Sequence, residues 1–301
     1  MPYIHTTLFN PQFFFKNKHF NTLYRYLKTP KKISFNRRRM RTSDQDFMDL
    51  DFALVGSQKI IIAIHGLEGS SQSGYIHSLA YLAHQNKYDM VAVNLRGCSG
   101  EPNKNLASYH SGKTEDLHEV IQYLEHHFDY TEIYIVGYSL GGNLTLKYMG
   151  ENTSKLPKKI QAAVAVSTPC DLKGSTLILS KGINRMYQMN FLKTLKRKAL
   201  RKIKQFPSEK INVSALKNAQ TLIDFDNYFT APTNGFVDAS DYYSKSSSRQ
   251  FIPFIHKPTL LISAWDDPFL STSCYPVPEA KASENFTLFL FSALGHPKNF
   301  S

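Results

Sequence analysis

The sequence predicts an α/β fold: a mostly parallel central sheet, helices on both faces and one inserted helical segment. Three observations carry this reading. From residue 59 onward, apolar runs of strand length alternate with stretches whose apolar residues recur at helical spacing. The alternation fails once, over residues 171–254, for longer than a connection inside a sheet requires. The 301 residues are 42% hydrophobic and 20% charged, a globular balance in a chain long enough to bury its own core.

The elements follow in order. Residues 1–43 read as an aromatic and basic leader packed on the core, with Phe13-Phe14-Phe15 at its centre. Residues 44–53 read as an edge hairpin. Lys59–Ile64 is a β-branched run and predicts a buried strand. Ile76, Leu79, Ala80 and Ala83 predict a helix over 72–84. A strand over 90–95, a loop over 96–108 and a helix over 114–128 come next, the helix carrying Leu117, Val120, Ile121 and Leu124 on one stripe. Strands at 132–136, 160–167, 259–263 and Phe286–Phe291, and a helix at 143–149, complete the core, which spans 44–170 and 255–301. Residues 171–254 are expected to form a helical cap over the carboxyl end of the sheet, where open α/β folds bind ligands.

Composition excludes several classes. The longest aliphatic run, from Ile60 to Ile64, is far short of the roughly 20 residues of a spanning helix. No charged segment followed by an apolar run and a small-residue cleavage site opens the chain, so a cytoplasmic location is expected. Cys98, Cys170 and Cys274 are odd in number and widely spaced, which argues against a disulfide framework or structural zinc. The net charge of +12 is uneven: no acid precedes Asp44, and none lies between Asp171 and Glu209. Solvated basic faces are the simpler reading of these blocks. Phe191, Leu195, Ala199, Ile203 and Phe206 form an apolar stripe among basic residues, better read as cap packing than as a membrane contact; an anionic membrane surface stays a candidate partner. The aromatics form no base-stacking motif, so no specific nucleic-acid partner is expected.

The chemistry centres on Gly137-Tyr138-Ser139-Leu140-Gly141. With Gly at about 7% of average usage, chance supplies G-x-S-x-G in roughly one chain in ten of this length, so context must decide. Here the motif follows a predicted strand and opens a predicted helix, the setting of a nucleophile elbow. Gly137, Gly141 and Gly142 meet the need for small residues at a tight turn. A serine nucleophile needs a base, and the base needs an orienting acid. Downstream, one strand ends in Trp265-Asp266-Asp267 and the next in Leu294-Gly295-His296, giving the order Ser139, Asp267, His296. Asp266 competes with Asp267, its alternative role being a turn or helix cap. Oxyanion donors are expected at the backbone N–H of Leu140 and of Leu67, in His65-Gly66-Leu67-Glu68-Gly69-Ser70-Ser71. Gly112-Lys113-Thr114 lacks the first glycine of a phosphate loop, and His118-Glu119 lacks the second histidine of a metalloprotease motif.

Together these residues resemble the YheT-like subfamily of α/β-hydrolases, related to the eukaryotic ABHD lipid hydrolases. The matches include His19-Phe20-Asn21-Thr22-Leu23, the Arg-Thr-x-Asp-x-Asp-Phe-x-Asp-Leu-Asp segment at 41–51, HGLEGSS at 65–71, NLRGCSGEPN at 94–103, YHSGKTEDL at 109–117, GYSLGGN at 137–143 and DDPF at 266–269. The resemblance implies an α/β-hydrolase fold, a triad of Ser139, Asp267 and His296, and cleavage of carboxylic esters with no metal or organic cofactor. It leaves acyl transfer to an alcohol as an alternative. The family pattern continues into a helix beyond its histidine, whereas this sequence ends five residues after His296. The expected fold therefore lacks the C-terminal helix, and a non-catalytic binding module is the alternative should that shortening disable the base.

Overall fold

The computed structural model describes residues 3–6, 31–207 and 211–291. Among them nine strands form one sheet: β1 (Tyr3–Thr6), β2 (Asn36–Arg41), β3 (Phe47–Ala53), β4 (Lys59–Ile64), β5 (Asp89–Asn94), β6 (Glu132–Tyr138), β7 (Ile160–Val166), β8 (Thr259–Ala264) and β9 (Phe286–Phe291). Their spatial order is β1-β9-β8-β7-β6-β4-β5-β3-β2. Only β2–β3 and β3–β5 pair antiparallel; the other pairs are parallel.

Strand periodicity of two divides the core into two layers. Ile60, Ile62 and Ile64 of β4 share a cluster with Leu117, Val120 and Leu124 of α2 (Thr114–His127) and with Leu144 of α3 (Leu140–Glu151). Ala63 turns to the opposite face, with Ile76, Ala80 and Ala83 of α1 (Gly74–Gln85). Helices thus cover both faces, which accounts for the near-continuous apolar character of the parallel strands.

Between β7 and β8 every regular element among the described residues is helical. The segment begins with α4 (Leu172–Leu179) and α5 (Asn184–Gln205), continues through short helices, a π turn at Asp226–Thr230 and a helix at Ala239–Ser246, and closes with a 3₁₀ turn at Ser248–Phe254. Local caps punctuate it. Asp171, Asn212 and Asp238 each accept a first-turn N–H, and Thr221 forms a capping box with Asp224. Each such cap is worth about 1 kcal/mol. The insertion has its own apolar cluster, including Leu192, Leu216, Phe225 and Phe229.

The predicted leader contributes to the sheet itself. Both edge strands, β1 and β2, come from it, and the hairpin at the β2 edge is formed by β2 and β3 rather than by 44–53 alone. All seven residues of β3 are buried, Asp49 and Asp51 among them. Cross-strand partners explain this: Arg39 and Arg37 lie opposite and grip the two carboxylates bidentately at 2.7–2.9 Å. Part of the leader's positive charge is therefore paired inside the hairpin.

Candidate active site

Ser139 stands between β6 and α3 with φ 53° and ψ −117°. A side chain in this conformation is rare and strained, and it persists only where its surroundings enforce it. Here they do. The Ser139 N–H donates to Val166 O of the neighbouring strand at 2.8 Å, and Ser139 O accepts from Asn143 N–H at 3.0 Å. A Cβ on Gly137 would collide with the carbonyl of Gly141, and one on Gly141 with those of Ile64 and His65. Only glycine lets the strand, turn and helix close this tightly. Helix α3 starts at Leu140, three residues earlier than the spacing suggests, so the serine sits directly at its first turn. The N–H groups of Leu140, Gly141 and Gly142 have no acceptor among the described residues, as helix geometry requires of a first turn.

The loop after β4 lies against this serine. A Cβ on Gly66 would stand 3.0 Å from Ser139 Cβ. The loop's N–H groups are nearly all committed. Gly66 donates to Tyr75 Oη, Glu68 to Tyr109 Oη, Gly69 to Gly66 O, Ser70 to Ser73 Oγ and Ser71 to Asn94 Oδ1, all at 2.9–3.1 Å. Leu67 alone in this run donates to nothing among the described residues.

Buried side chains fix the loop from beneath and above. His65 is fully buried; its Nδ1–H donates to Gly66 O at 2.8 Å, and its Nε2 accepts from Leu95 N–H at 3.1 Å. Burial pushes its pKa down to about 4, so the ring is a neutral brace. Ser71 Oγ donates to Asp51 Oδ2 at 2.5 Å, tying the loop's far end to β3. From the insertion, Lys198 Nζ on α5 reaches Glu68 Oε1 at 3.0 Å, and Tyr109 Oη donates to the same oxygen at 2.9 Å. Burial beside these groups raises the Cys98 thiol to about 12, so it stays protonated. Sequence reasoning missed this cluster. The signal available was a pair of lysines four apart, Lys198 and Lys202, on the packed side of an otherwise acid-free stretch.

Asp266 and Asp267 follow β8 and are both half-buried. Asp267 Oδ1 accepts from Phe269 N–H at 3.0 Å, and its own N–H donates to Ala264 O at 3.2 Å. The strand ends are in register, Ala264 facing Phe291. His296 lies five residues further on, outside the described residues, as do the segment on which the expectation of a missing last helix rests and the leader motif at 19–23. The structure therefore sets Ser139, with Leu140 next to it, against the turn at Gly66, one residue before Leu67, and puts Asp267 beyond the carboxyl end of a strand two places away in the sheet. Cys98, Cys170 and Cys274 are buried free thiols, and the described residues hold no group of three or more metal-ligating side chains.

A mostly parallel sheet in this order, carrying a serine in a strained strand-to-helix turn beside a glycine-containing loop, defines the class. The chain belongs to the α/β-hydrolase fold family, whose model matches residues 59–296. Within it the chain sits in the YheT-like branch: it is 37% identical to the putative esterase YheT of Escherichia coli (strain K12) over 278 residues, 90% of this chain and 81% of that one. It is 31% identical to an abhydrolase domain-containing protein of Dictyostelium discoideum, over 96% of this chain and 75% of the other. A monoacylglycerol lipase of Saccharomyces cerevisiae is 30% identical over 79% of this chain, which spans about half (54%) of that relative's length. Among solved structures, the Pyrococcus furiosus esterase Pf2001 superposes with a TM-score of 0.58 over 89% of each chain at 16% identity, a likeness of fold.

Proposed function

We propose that this protein is a serine hydrolase of carboxylic esters, acting on acyl or lipid esters through an acyl-enzyme. Ser139 Oγ attacks the ester carbonyl while His296 takes its proton and Asp267 orients and stabilises the imidazolium. The oxyanion of the tetrahedral intermediate accepts from the Leu67 and Leu140 N–H groups, each donor of this kind being worth about 2.7–4 kcal/mol in the transition state. Collapse expels the alcohol, which takes the proton from His296; water then attacks the acyl-enzyme and releases the acid. Transfer to an alcohol would use the same intermediate and differ only in the second nucleophile.

The observation that carries this reading is the pairing of a strained Ser139 with a Leu67 N–H that has no acceptor among the described residues, in a loop where the N–H groups of Gly66, Glu68, Gly69, Ser70 and Ser71 are all bonded. The esterase and lipase names of its relatives agree with it. The test is a fluorophosphonate probe with the adduct mapped by mass spectrometry, beside turnover of a chromogenic acyl ester. Labelling confined to Ser139, lost in Ser139→Ala and His296→Ala along with turnover, is expected. Labelling at another serine, or full turnover by Ser139→Ala, overturns the assignment.

A further inference from the structure

Helix α5 has two unlike faces. On the inner one, Leu192 and Ala199 are buried in the insertion's cluster, Lys198 reaches Glu68, and Lys202 donates to the carbonyls of Asn103 and Asn105. Of the apolar stripe singled out in the sequence, Phe191, Leu195, Ala199 and Ile203 pack into that cluster and do not form an outer surface, whereas Phe206, just past the helix, is not part of it.

The outer face is a different set of residues. Ile183, just ahead of the helix, is 55% exposed, Met186 70% and Met189 64%. Further along the same face come Lys193, Arg197, Arg201 and Lys204, lining a groove of ≈ 790 Å³ with Leu200 and, across it, Ala219. Among the described residues, no carboxylate lines the groove. Among the described residues, none of these four cations forms an ion pair.

We propose that this outer face of α5 docks on the surface of an anionic lipid bilayer. Exposed methionine and isoleucine flanked by cations that form no ion pair among the described residues match both layers of such a surface. The apolar side chains enter the boundary with the acyl chains while lysine and arginine meet the headgroup phosphates. A nucleic acid is the poorer fit, because the exposed apolar groups are aliphatic and offer no stacking platform. Residues 7–30 of this chain are the poorer fit as well, since they contain no acid to complement the groove. The inner face of this same helix holds the loop beside Ser139, so docking brings the bilayer to the element that borders the candidate active site.

The test is flotation of the full chain with vesicles of phosphatidylcholine, with and without phosphatidylglycerol. Binding roughly tenfold tighter to the phosphatidylglycerol vesicles, weakening as salt rises, is expected. Met186→Ser/Met189→Ser should lower that binding about fivefold at unchanged charge, the loss of two apolar side chains that would enter the bilayer boundary, and Lys193→Glu/Arg197→Glu should remove it. Equal partition onto both vesicle types overturns the proposal. So does full binding by the methionine variant, which would reduce the face to a general polyanion attractor, as would equal affinity for a DNA duplex. Circular dichroism confirms that each variant is folded. The binding readout is independent of ester turnover, so failure here and failure of the hydrolase reading are separately visible.

Discussion

His65 shows how one side chain holds the candidate oxyanion loop, and it sets a pH dependence. Its Nδ1–H is spent on Gly66 O and its Nε2 on Leu95 N–H, so a second proton has nowhere to go. Burial lowers the folded pKa to about 4 from an ordinary 6.5. The unfolded chain takes up a proton as pH falls through 6.5, whereas the folded chain takes one only near 4. The stabilisation is therefore complete above pH 6.5 and is lost as pH falls from there toward 4. At about 1.4 kcal/mol per pKa unit the whole window amounts to about 3 kcal/mol. Urea unfolding at pH 7 and pH 4.5 checks this: His65→Gln, which does not titrate, should lose about 2 kcal/mol less on acidification than the parent. Equal losses would show that His65 does not carry the effect.

Among elements, α5 and the loop after β4 are coupled by Lys198 and Glu68. Glu68 is nearly buried while Lys198 keeps about two-fifths of its side chain exposed, so the pair is worth less than a fully buried one. Lys198→Met is expected to cost about 1–2 kcal/mol in stability, and to lower kcat for a soluble ester more than it raises KM, because the loop that carries Leu67 loosens. Adding Glu68→Gln should restore much of both, since the stranded charge is then gone. If the double variant is no better than the single, the two side chains are not coupled. This coupling marks the limit of what the sequence discloses. The elbow is legible because strand, turn and helix adjoin within a dozen residues and the glycines are set by local sterics. The strands and helices of the core are legible because their periodicities are local. The partners that hold the loop come from Tyr75, Tyr109, Asn94 and Lys198, placed there only by the folded sheet. The edge strands were hidden for the same reason: Arg37 and Arg39 read as leader charge until Asp51 and Asp49 lie opposite.

Across the whole molecule, Arg96 is the junction between the hairpin, the loop after β5 and helix α2. It is 3% exposed, holds Asp116 bidentately at 2.7 Å, and reaches Asp44 at 2.7 Å and Asp46 at 3.2 Å. Asp46 in turn accepts the Lys104 and Asn105 N–H groups, so the motifs at 41–51, 94–103 and 109–117 converge on one buried network. Arg96→Ala strands two buried carboxylates, and a loss of about 3–5 kcal/mol in thermal or urea unfolding is expected. Arg96→Lys should recover only part of it, because an ammonium cannot reproduce the bidentate fork. Equal stability of Arg96→Lys and the parent would show that charge alone suffices.

The pairing of β1 with β9 has a bearing on how the chain is made. Tyr3 lies beside Leu288 in a parallel ladder, so β1 leaves the ribosome about 280 residues ahead of the strand it pairs with. At about 5–20 residues per second that interval is on the order of tens of seconds. Until then the apolar flank of β8 has no β9 to cover it, and a parallel ladder of such separation is slow to close. Assembly at this side of the sheet therefore waits for β9, and the segment that carries the candidate catalytic base directly follows that strand in sequence.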